Sequence, residues 1–328
     1  MSEAVAIANA NVALAKYWGK RDEALNLPYT GSISVNLAGL TTTARVRFTD
    51  DRAEDRVIMS GHQVDGLEGE RVRKFIDLVR QLTNRKGSAE VEVASNFPVA
   101  AGLASSASTF AALAMAATRA AGVILSDQEL SRLARRGSGS AARSIHGGYV
   151  EWLRGEATDG SDSYAVQLAP PEHWPLGIVV AITDRGRKRV GSREGMAHSL
   201  TRSPFFRPWL DSHQVDLETI RQGILGRDLH ATGSAAEHNC LKMHAVALAA
   251  LPPLMYWNTG TLAVVHRVVQ LREDGVAAYF TIDAGPQVKV ICPLPQRDAV
   301  AAVIQAVPGV QGVLLSEPGA GARSVEGG

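Results

Sequence analysis

An α+β fold is predicted by the sequence, because strand-like and helix-like patterns are mixed irregularly along its 328 residues. Apolar and polar residues alternate at positions 43–48 and again at 89–93, which is typical of half-buried strands. Between them, residues 70–86 place apolar side chains at helical spacing, and Gly87 is suited to end that helix. A doubly wound parallel sheet would need a regular βαβ rhythm, which the sequence lacks.

The remaining elements are predicted from the same signals. Residues 105–121 form an alanine-rich helix, and a second helix begins at Ser126, where Glu129 completes a capping box. A strand is expected close to the N-terminus. Further strands are expected at residues 148–153, 177–183, 277–282, 288–292 and 310–315, and helices at residues 217–225, 229–251, 262–273 and 297–306.

The chain is predicted to consist of two domains and a tail. A proline-rich segment near residues 169–175 marks the boundary, so we expect one domain at residues 1–180 and a second at 181–316. Residues 317–328 are rich in glycine, serine and alanine, and this composition predicts a disordered tail.

The charge balance argues against some classes of partner. Lys and Arg total 34 against 33 Asp and Glu, so no long-range field attracts nucleic acid or an anionic membrane. Any anion must therefore be bound by local clusters. Cys240 and Cys292 stand in apolar segments, which predicts buried reduced thiols and a cytoplasmic protein. The N-terminus lacks a signal-peptide pattern, and the most apolar stretch, residues 245–257, is too short for a membrane span.

A serine- and glycine-rich segment at residues 98–108, PVAAGLASSAS, is the first candidate anion site. Its small residues allow the backbone to approach a ligand, and its serines stand where a helix begins. Helix N-termini expose unpaired N–H groups, which bind phosphates. The segment is neither a Walker A loop nor a Rossmann glycine motif. A tightly packed, capped helix start is the alternative.

Three further clusters have the same character. They are residues 16–22 (KYWGKRD), residues 137–144 (GSGSAARS) and residues 188–195 (KRVGSREG). Hydroxyls, backbone N–H groups and Lys or Arg side chains suit phosphate. Each cluster alone could be a solvated or flexible loop, but four in a near-neutral chain favour a ligand with several phosphates.

A carboxylate at the end of an apolar strand is the fifth candidate. Asp283 lies in YFTIDAGP, residues 279–286, just before a turn. At such a position an aspartate can act as a general base or orient a hydroxyl. It can also cap the turn, and the local sequence leaves both interpretations open.

Five segments together resemble the diphosphomevalonate decarboxylase family of the GHMP kinase superfamily. They are NVALAKYWGKRDEALNLP, NFPVAAGLASSAS, GSGSAARS, SREGM and YFTIDAGPQVKV, and they run from Asn11 to Val290 in the order of the family. The GLASSAS loop is shared by the whole superfamily and indicates ATP-dependent phosphoryl transfer. The KYWGKRD and FTIDAGP segments are narrower and point to the decarboxylase branch.

The resemblance implies a fold and a reaction. It implies the GHMP-kinase fold, with a ribosomal S5 domain 2-like N-terminal half that binds ATP and a ferredoxin-like C-terminal half. It further implies a homodimer, with the active site in the cleft between the halves. ATP and Mg²⁺ would serve phosphorylation of the 3-hydroxyl of mevalonate 5-diphosphate, and loss of phosphate and CO₂ would give isopentenyl diphosphate.

The resemblance also implies roles for individual residues. The catalytic residues would be Asp283, Lys16 and Lys188. The substrate would be bound by Tyr17, Lys20, Ser138, Ser140, Arg143, Ser192 and Arg193. ATP would be bound by Asn96, Gly102, Leu103, Ala104, Ser105, Ser106 and Ser108, with Ser106 also meeting Mg²⁺, and Arg73 and Lys74 are further adenine candidates. The sequence departs from the family pattern at Gly31, at Asn36 and at residues 237–239, and no role is implied for the last of these.

Other functions stay open at this point. A relative could act on mevalonate 5-phosphate or on mevalonate, or could be a 3-kinase that stops after phosphorylation. A simple 5-kinase would not explain FTIDAGP. A non-catalytic nucleotide-binding or RNA-binding module is the alternative from another class, and the near-zero net charge counts against RNA.

Overall fold

The computed structural model describes residues 2–50, 53–97, 105–186 and 189–325, and within them the α+β prediction is confirmed. The strands are β1 (Ser2–Ala15), β2 (Lys20–Asp22), β3 (Leu27–Pro28), β4 (Ser32–Thr49), β5 (Arg56–Met59), β6 (His62–Gln63), β7 (Ser88–Ser95), β8 (Tyr149–Trp152), β9 (Ala165–Ala169), β10 (Leu176–Ile182), β11 (Tyr279–Ile282), β12 (Val288–Pro293), β13 (Gly312–Ser316) and β14 (Arg323–Val325). The helices are α1 (Leu67–Thr83), α2 (Ser105–Ala120), α3 (Asp127–Gly137), α4 (Ser192–Arg202), α5 (Phe206–Gly226), α6 (Leu229–Leu248), α7 (Thr259–Glu273) and α8 (Arg297–Gln305).

The larger sheet is formed mainly by the first half of the chain. Its strand order is β14-β1-β4-β7-β5-β6, and β8 and β9 extend it beside β4. All pairs are antiparallel except β5 with β7. The register of β1 against β4 shifts between Asn9 and Asn11 and again between Ala13 and Ala15. Such irregularities bend a strand and redirect its side chains, and here they lie just before Lys16.

Helix α2 lies across β1 and β4 and is buried over most of its length. Its many alanines let the helix approach the sheet closely, and the core between them is completed by α1 and α3. The capping box predicted for α3 is confirmed, because Ser126 accepts a hydrogen bond from the Glu129 backbone.

The second sheet is antiparallel in the order β11-β12-β10-β13, and α7 and α8 pack against it. A further core cluster joins the two sheets, with members such as Ile33 and Val35 on β4, Ile178 on β10 and Ile220 on α5. Helix α6 contacts both β1 and β11, so it bridges the two halves of the chain. Among the helices of the described residues, none has the length and apolarity that crossing a membrane requires.

Several helix ends differ from the sequence-based expectation; for example, α6 ends at Leu248 and α7 begins at Thr259. Helix α1 ends before Asn84, which adopts a left-handed conformation with φ of 52°, and not at Gly87. Helix α5 begins at Phe206, well before residue 217. The sequence did not reveal this because two of the buried positions in its first turns are the polar residues His213 and Asp216, which interrupt the apolar periodicity.

The predicted domain boundary needs a correction. Residues 180 and 181 lie inside β10, which pairs with β12 and β13 along its length. A division of the chain would therefore fall before Leu176. The strand is apolar throughout, and such a run does not reveal to which sheet it belongs. The division into two domains itself stays a prediction.

The prediction of a disordered tail is wrong for residues 317–325. Strand β14 pairs with β1, and Gly319 exchanges backbone hydrogen bonds with Asn36 and Gly148. A Cβ at Gly319 would lie 2.5 Å from the Ala38 nitrogen, so glycine is needed for this close backbone approach. The composition that resembles disorder is here a consequence of tight packing.

Candidate active site

A cleft of 370 Å³ opens between the two halves of the chain. Its volume lies within the usual range for small-molecule sites, about 300–1,000 Å³. It is bounded by the end of β1, by α1, by the N-termini of α2 and α4, and by the turn after β11. The structure brings together in it the predicted residues Lys16, Tyr17, Lys20, Ser105, Ser106, Ser138, Ser140, Arg143, Ser192, Arg193 and Asp283.

The charged side chains of the cleft are mostly cationic, although the protein as a whole is nearly neutral. Burial and mutual repulsion make such a cluster costly, and a bound polyanion offsets that cost. The described lining contains five cations, Lys16, Lys20, Arg71, Arg143 and Arg193, and two carboxylates, Glu68 and Asp283.

Asp283 follows β11 and is held between two lysines. Lys16 Nζ donates to its Oδ1 at 2.8 Å, and Lys289 Nζ lies 3.1 Å from its Oδ2. The lysine side chains are each 2% exposed, whereas that of Asp283 is 21% exposed. Burial by itself raises the pKa of Asp283, but the two lysines hold this pKa well below its usual range. Asp283 is therefore an ionised carboxylate that faces the cleft.

Lys16 is fixed from behind by Asn239 of α6. The Lys16 backbone N–H donates to Asn239 Oδ1 at 2.7 Å, and Lys16 Nζ donates to the Ala13 carbonyl at 2.9 Å. Asn239 is completely buried, and its Nδ2 donates to Asp216 Oδ2 at 2.9 Å. These bonds fix the point at which the chain leaves β1 and turns into the cleft.

His213 of α5 completes this buried network. Its Nδ1 lies 3.2 Å from Asn239 Nδ2 and its Nε2 lies 2.9 Å from the Gly31 carbonyl. Burial lowers the pKa of His213 to about 4, so the ring is neutral near pH 7. The neutral ring with the proton on Nε2 satisfies both bonds, because Nε2–H donates to Gly31 and Nδ1 accepts from Asn239.

Replacing Asn239 by leucine is expected to lower kcat about 10- to 100-fold, because the Lys16 backbone loses the acceptor that positions it. The substitution also leaves buried groups unpaired, so unfolding should become easier by about 1–3 kcal/mol. Steady-state kinetics and thermal unfolding measure the two effects. The matched control is Gln270→Leu, which removes an exposed amide on α7. Equal kcat values for the two variants would contradict the positioning role.

Arg143 is a buried cation on another wall of the cleft. Its Nη1 donates to Ser32 Oγ at 2.5 Å and its Nη2 donates to Asn11 Oδ1 at 3.3 Å. Burial lowers its pKa to about 10, which leaves it protonated at neutral pH. Its Nε has no hydrogen-bond partner in the described part of the chain. An anionic group bound in the cleft would supply the missing partner.

Asn36, one of the departures from the family pattern, supports the segment that contains Arg143. That segment is the 3-10 helix Gly139–Ser144. The buried Asn36 amide donates to the carbonyl groups of His146 and of Arg143, the latter at 3.4 Å. Asn36 therefore ties the segment to β4.

Tyr17 presents a hydroxyl group with no hydrogen-bond partner among the described residues. Its ring packs edge-on against Trp152 with a centroid separation of 4.8 Å. A Cβ at Gly139 would lie 2.7 Å from this ring, which explains the glycine there. Burial raises the pKa of Tyr17 above its usual value, so the phenol is a neutral donor.

Three cations, Lys20, Arg71 and Arg193, influence one another at one end of the cleft. Burial lowers the pKa of Lys20, and the charges of Arg193 and Arg71 lower it further, although Glu23 at 2.6 Å opposes this. Burial and the charge of Arg193 likewise lower the pKa of Arg71. Repulsion of this kind is relieved when a multiply charged anion binds.

A row of hydroxyls crosses the cleft at the start of α2. Ser106 Oγ lies 3.2 Å from Ser138 Oγ, which lies 3.4 Å from Ser140 Oγ. Helix α4 begins at Ser192, with Arg193 next to it. Hydroxyls at helix N-termini are suited to phosphate binding.

Two of the residues predicted to bind ATP, Asn96 and Ser108, do not line the cleft. Asn96 uses its amide to bind the β4 backbone, with Oδ1 accepting from Thr41 and Nδ2 donating to Gly39. Ser108 is buried against Thr42, with 2.7 Å between the hydroxyls. The prediction is corrected for Ser108, whose buried side chain cannot reach a ligand, whereas ATP binding by the exposed Asn96 stays a prediction. Gly102, Leu103, Ala104 and Lys188 lie outside the described residues, so their roles stay predictions.

The two adenine candidates on α1 also lie elsewhere. Arg73 pairs with Asp65 at 2.6 Å, and Lys74 is exposed. Neither is in the lining of the cleft, whereas Arg71 on the same helix is. Near α1, a smaller cavity of 160 Å³ shares Glu68 with the cleft. It is otherwise lined by Met59, Ser60, Val64, Val93, Ser95 and Thr109.

Sequence reasoning missed several residues of this site, among them Asn11, Glu68, Arg71, His213, Asn239 and Lys289. Lys289 had a local signal, since a lysine interrupts the otherwise apolar strand β12. Asn239 belongs to the segment for which no role was implied. Its neighbour Glu237 has a structural role, because it accepts hydrogen bonds from Arg272 and from the Phe280 backbone.

Comparison with known families accounts for nearly the whole chain. Residues 8–165 match the diphosphomevalonate decarboxylase-like N-terminal domain. Residues 178–314 match the mevalonate 5-diphosphate decarboxylase C-terminal domain. The diphosphomevalonate decarboxylase of Homo sapiens is 37% identical over 321 residues, which cover 92% of this chain and 78% of the human protein.

Solved structures agree with this match. Mevalonate diphosphate decarboxylase from Staphylococcus aureus has a TM-score of 0.93 at 38% identity, covering 99% of this chain and 98% of that one. MDDEF, in complex with MVAPP, AMPPCP and magnesium, has a TM-score of 0.92 at 38% identity, covering 99% of both chains. The GHMP-kinase fold expected from the resemblance is thereby confirmed. The chain belongs to the diphosphomevalonate decarboxylase family.

Proposed function

We propose that this chain catalyses the ATP-dependent decarboxylation of mevalonate 5-diphosphate to isopentenyl diphosphate. The observation that supports this most strongly is Asp283, an ionised carboxylate facing a cleft whose other charges are mainly cationic. A site that only bound polyanions would gain nothing from a negative charge at this position. A carboxylate is useful there if it meets a hydroxyl group or a developing cation.

The chemistry explains why phosphorylation precedes decarboxylation. A tertiary hydroxyl is a poor leaving group. When its oxygen attacks the γ-phosphorus of ATP, the new O–P bond forms as the bond from the γ-phosphorus to the β-phosphate oxygen breaks, ADP leaves, and the hydroxyl proton passes to solvent, which gives a phosphate ester. The C3–O bond then breaks as phosphate leaves with the bonding electrons. The C–C bond to the carboxylate breaks next, its electrons form the C=C bond, and CO₂ is released.

Asp283 would orient the 3-hydroxyl and stabilise positive charge at C3, and Lys16 would hold it in place. Its depressed pKa makes it a weak base, which favours orientation over proton removal. Lys188 is proposed to neutralise charge on the phosphoryl group during its transfer. Arg143, which is close enough to Asp283 to feel its charge, is proposed to bind the substrate carboxylate.

The diphosphate is proposed to bind at the end of the cleft that contains Lys20, Arg71 and Arg193. Three cations match a diphosphate better than a monophosphate, which favours the diphosphate as substrate. Further hydrogen bonds would come from Tyr17, Ser138, Ser140 and Ser192.

The nucleotide is proposed to bind along the start of α2. Ser105 and Ser106 would contact its phosphates, and the small cavity beside Met59 and Val93 would receive the base. The hydroxyl of Ser106 and the carboxylate of Glu68 both line the cleft and supply oxygen ligands of the kind that Mg²⁺ prefers, so these residues fit the ion. Mg²⁺ supplies charge neutralisation to the phosphates.

A cytoplasmic location and a homodimeric state are also proposed. Cys240 and Cys292 are free and buried, which suits a reducing compartment. The homodimer is proposed on the family resemblance.

The function is tested by incubating the protein with Mg·ATP and, separately, mevalonate, its 5-phosphate and its 5-diphosphate, while ADP and CO₂ are measured. We expect equal amounts of ADP and CO₂, with the 5-diphosphate as the preferred substrate. ADP without CO₂ would refute the decarboxylase assignment. Preferential CO₂ release from the 5-phosphate would overturn the substrate assignment.

A further inference from the structure

Lys289 is a buried lysine in the middle of the second sheet. It stands on β12 between Val288 and Val290, and its backbone pairs with Val180 and Thr281 on the neighbouring strands. Its side chain is 2% exposed. A lysine in such a place is rare, because burial disfavours its charge unless a partner is close.

The carboxylate that Lys289 meets is Asp283. Lys289 Nζ lies 3.1 Å from Asp283 Oδ2, while Lys16 binds Oδ1. The two lysines therefore face different oxygens of the carboxylate. Lys16 makes a hydrogen bond to Oδ1, whereas Lys289 forms an ion pair on the side of Oδ2, which has no hydrogen-bond partner among the described residues.

The two lysines differ in their access to a ligand. Lys16 belongs to the cleft lining, so its ammonium group can also interact with a bound anion. Lys289 is not in the described lining, so its interaction with Asp283 is shielded from the ligand. When a substrate carboxylate and phosphates enter the cleft, their charges favour protonation of Asp283. Lys289 opposes that effect throughout the reaction.

We propose that Lys289 is a positioning residue for the decarboxylation, which holds the Asp283 carboxylate through an ion pair on the side of Oδ2 and keeps Asp283 ionised while the cleft is filled with anions. This inference rests on the function proposed above.

Three other titratable groups lie around Asp283, and two of them carry no charge that could keep it ionised. Arg143 approaches from the 3-10 helix, and Cys240 and His244 approach from α6. Burial raises the pKa of Cys240 and lowers that of His244 to about 3, so both are neutral near pH 7. Removing Lys289 therefore raises the pKa of Asp283. When the pH is lowered, Asp283 then becomes protonated, and activity is lost, at a higher pH than in the parent protein.

The test compares Lys289→Met and Lys289→Arg in the full-length protein, with Lys86→Met as a control at an exposed lysine. For Lys289→Met we expect kcat to fall at least 30-fold, the KM for ATP to change less than threefold, and the acid limb of the kcat–pH profile to move to higher pH. Lys289→Arg keeps the charge and should keep the acid limb in place. A kcat within twofold of the parent with an unchanged pH profile would overturn the proposal.

A double-mutant cycle tests whether Lys289 acts through Asp283. Single-turnover ADP formation is measured for Asp283→Asn with and without Lys289→Met. We expect no further loss from the second substitution, and a similar or higher unfolding temperature, since the double variant buries one unmatched lysine, Lys16, where Asp283→Asn alone buries two. An equal fold-loss in both backgrounds would overturn the proposal. The double variant also serves if Lys289→Met does not fold.

The experiments distinguish an error in the role of Lys289 from an error in the proposed function. If the parent protein releases no CO₂ from mevalonate 5-diphosphate, the function is wrong. If the parent is active and the Lys289 variants match it, only the role of Lys289 is wrong.

Discussion

Replacing Asp283 by asparagine is expected to lower kcat by about 10³-fold or more while ATP still binds. The amide retains the shape of the side chain but has no negative charge, so it can neither stabilise positive charge at C3 nor neutralise Lys16 and Lys289. The two buried lysines would then repel each other, and unfolding should become easier by about 3–5 kcal/mol.

Rapid-quench measurement of ADP and CO₂ gives the change in kcat. Nucleotide titration shows whether ATP still binds, and thermal unfolding gives the change in stability. The matched control is Asp274→Asn, which removes an exposed carboxylate after α7. A variant at Asp283 with near-normal turnover would remove this residue from the mechanism.

Replacing Arg143 by methionine should lower kcat/KM for mevalonate 5-diphosphate by about 30- to 5,000-fold, as expected when one partner of a buried charge pair is lost. The guanidinium is buried, protonated and without a carboxylate partner among the described residues, so the substrate is expected to supply that partner. Arg143→Lys should not restore activity. The guanidinium binds Ser32 and Asn11 and still has further N–H donors for a ligand, whereas an ammonium group lacks this planar arrangement.

The control for this experiment is Arg207→Met on α5, where the side chain is 83% exposed. Binding of ATP alone should be unchanged in the Arg143 variant. If both arginine variants showed the same kcat/KM as the parent, the carboxylate subsite would have to lie elsewhere in the cleft.

Local features of the fold were predictable because their causes are local. The capping box at Ser126 and Glu129 satisfies backbone groups within one turn, so it can be recognised in four residues. Strand β14 could not be recognised in this way, because its partner β1 lies at the other end of the chain. The glycines that allow the tail to pack resemble a flexible linker in composition alone.

The candidate site shows the same limit. Motifs predicted the parts of the cleft around Ser106, Arg143 and Arg193, because several clusters of hydroxyls and cations in one near-neutral chain favour a ligand with several phosphates. Side-chain direction was not predictable. Ser108 lies on the inward side of α2, a helix buried over most of its length and thus without a polar face to set the orientation. Lys289 and Asn239 stand among apolar residues, and only the tertiary structure shows what they contact.

The central claim is that the 3-hydroxyl is phosphorylated and leaves as phosphate. It is tested most directly with mevalonate 5-diphosphate that contains ¹⁸O in the 3-hydroxyl group, turned over with unlabelled ATP. We expect one ¹⁸O atom in each inorganic phosphate released together with CO₂, because the C3–O bond breaks after phosphoryl transfer. Unlabelled phosphate, with the ¹⁸O found in water, would show that the 3-oxygen does not leave as phosphate.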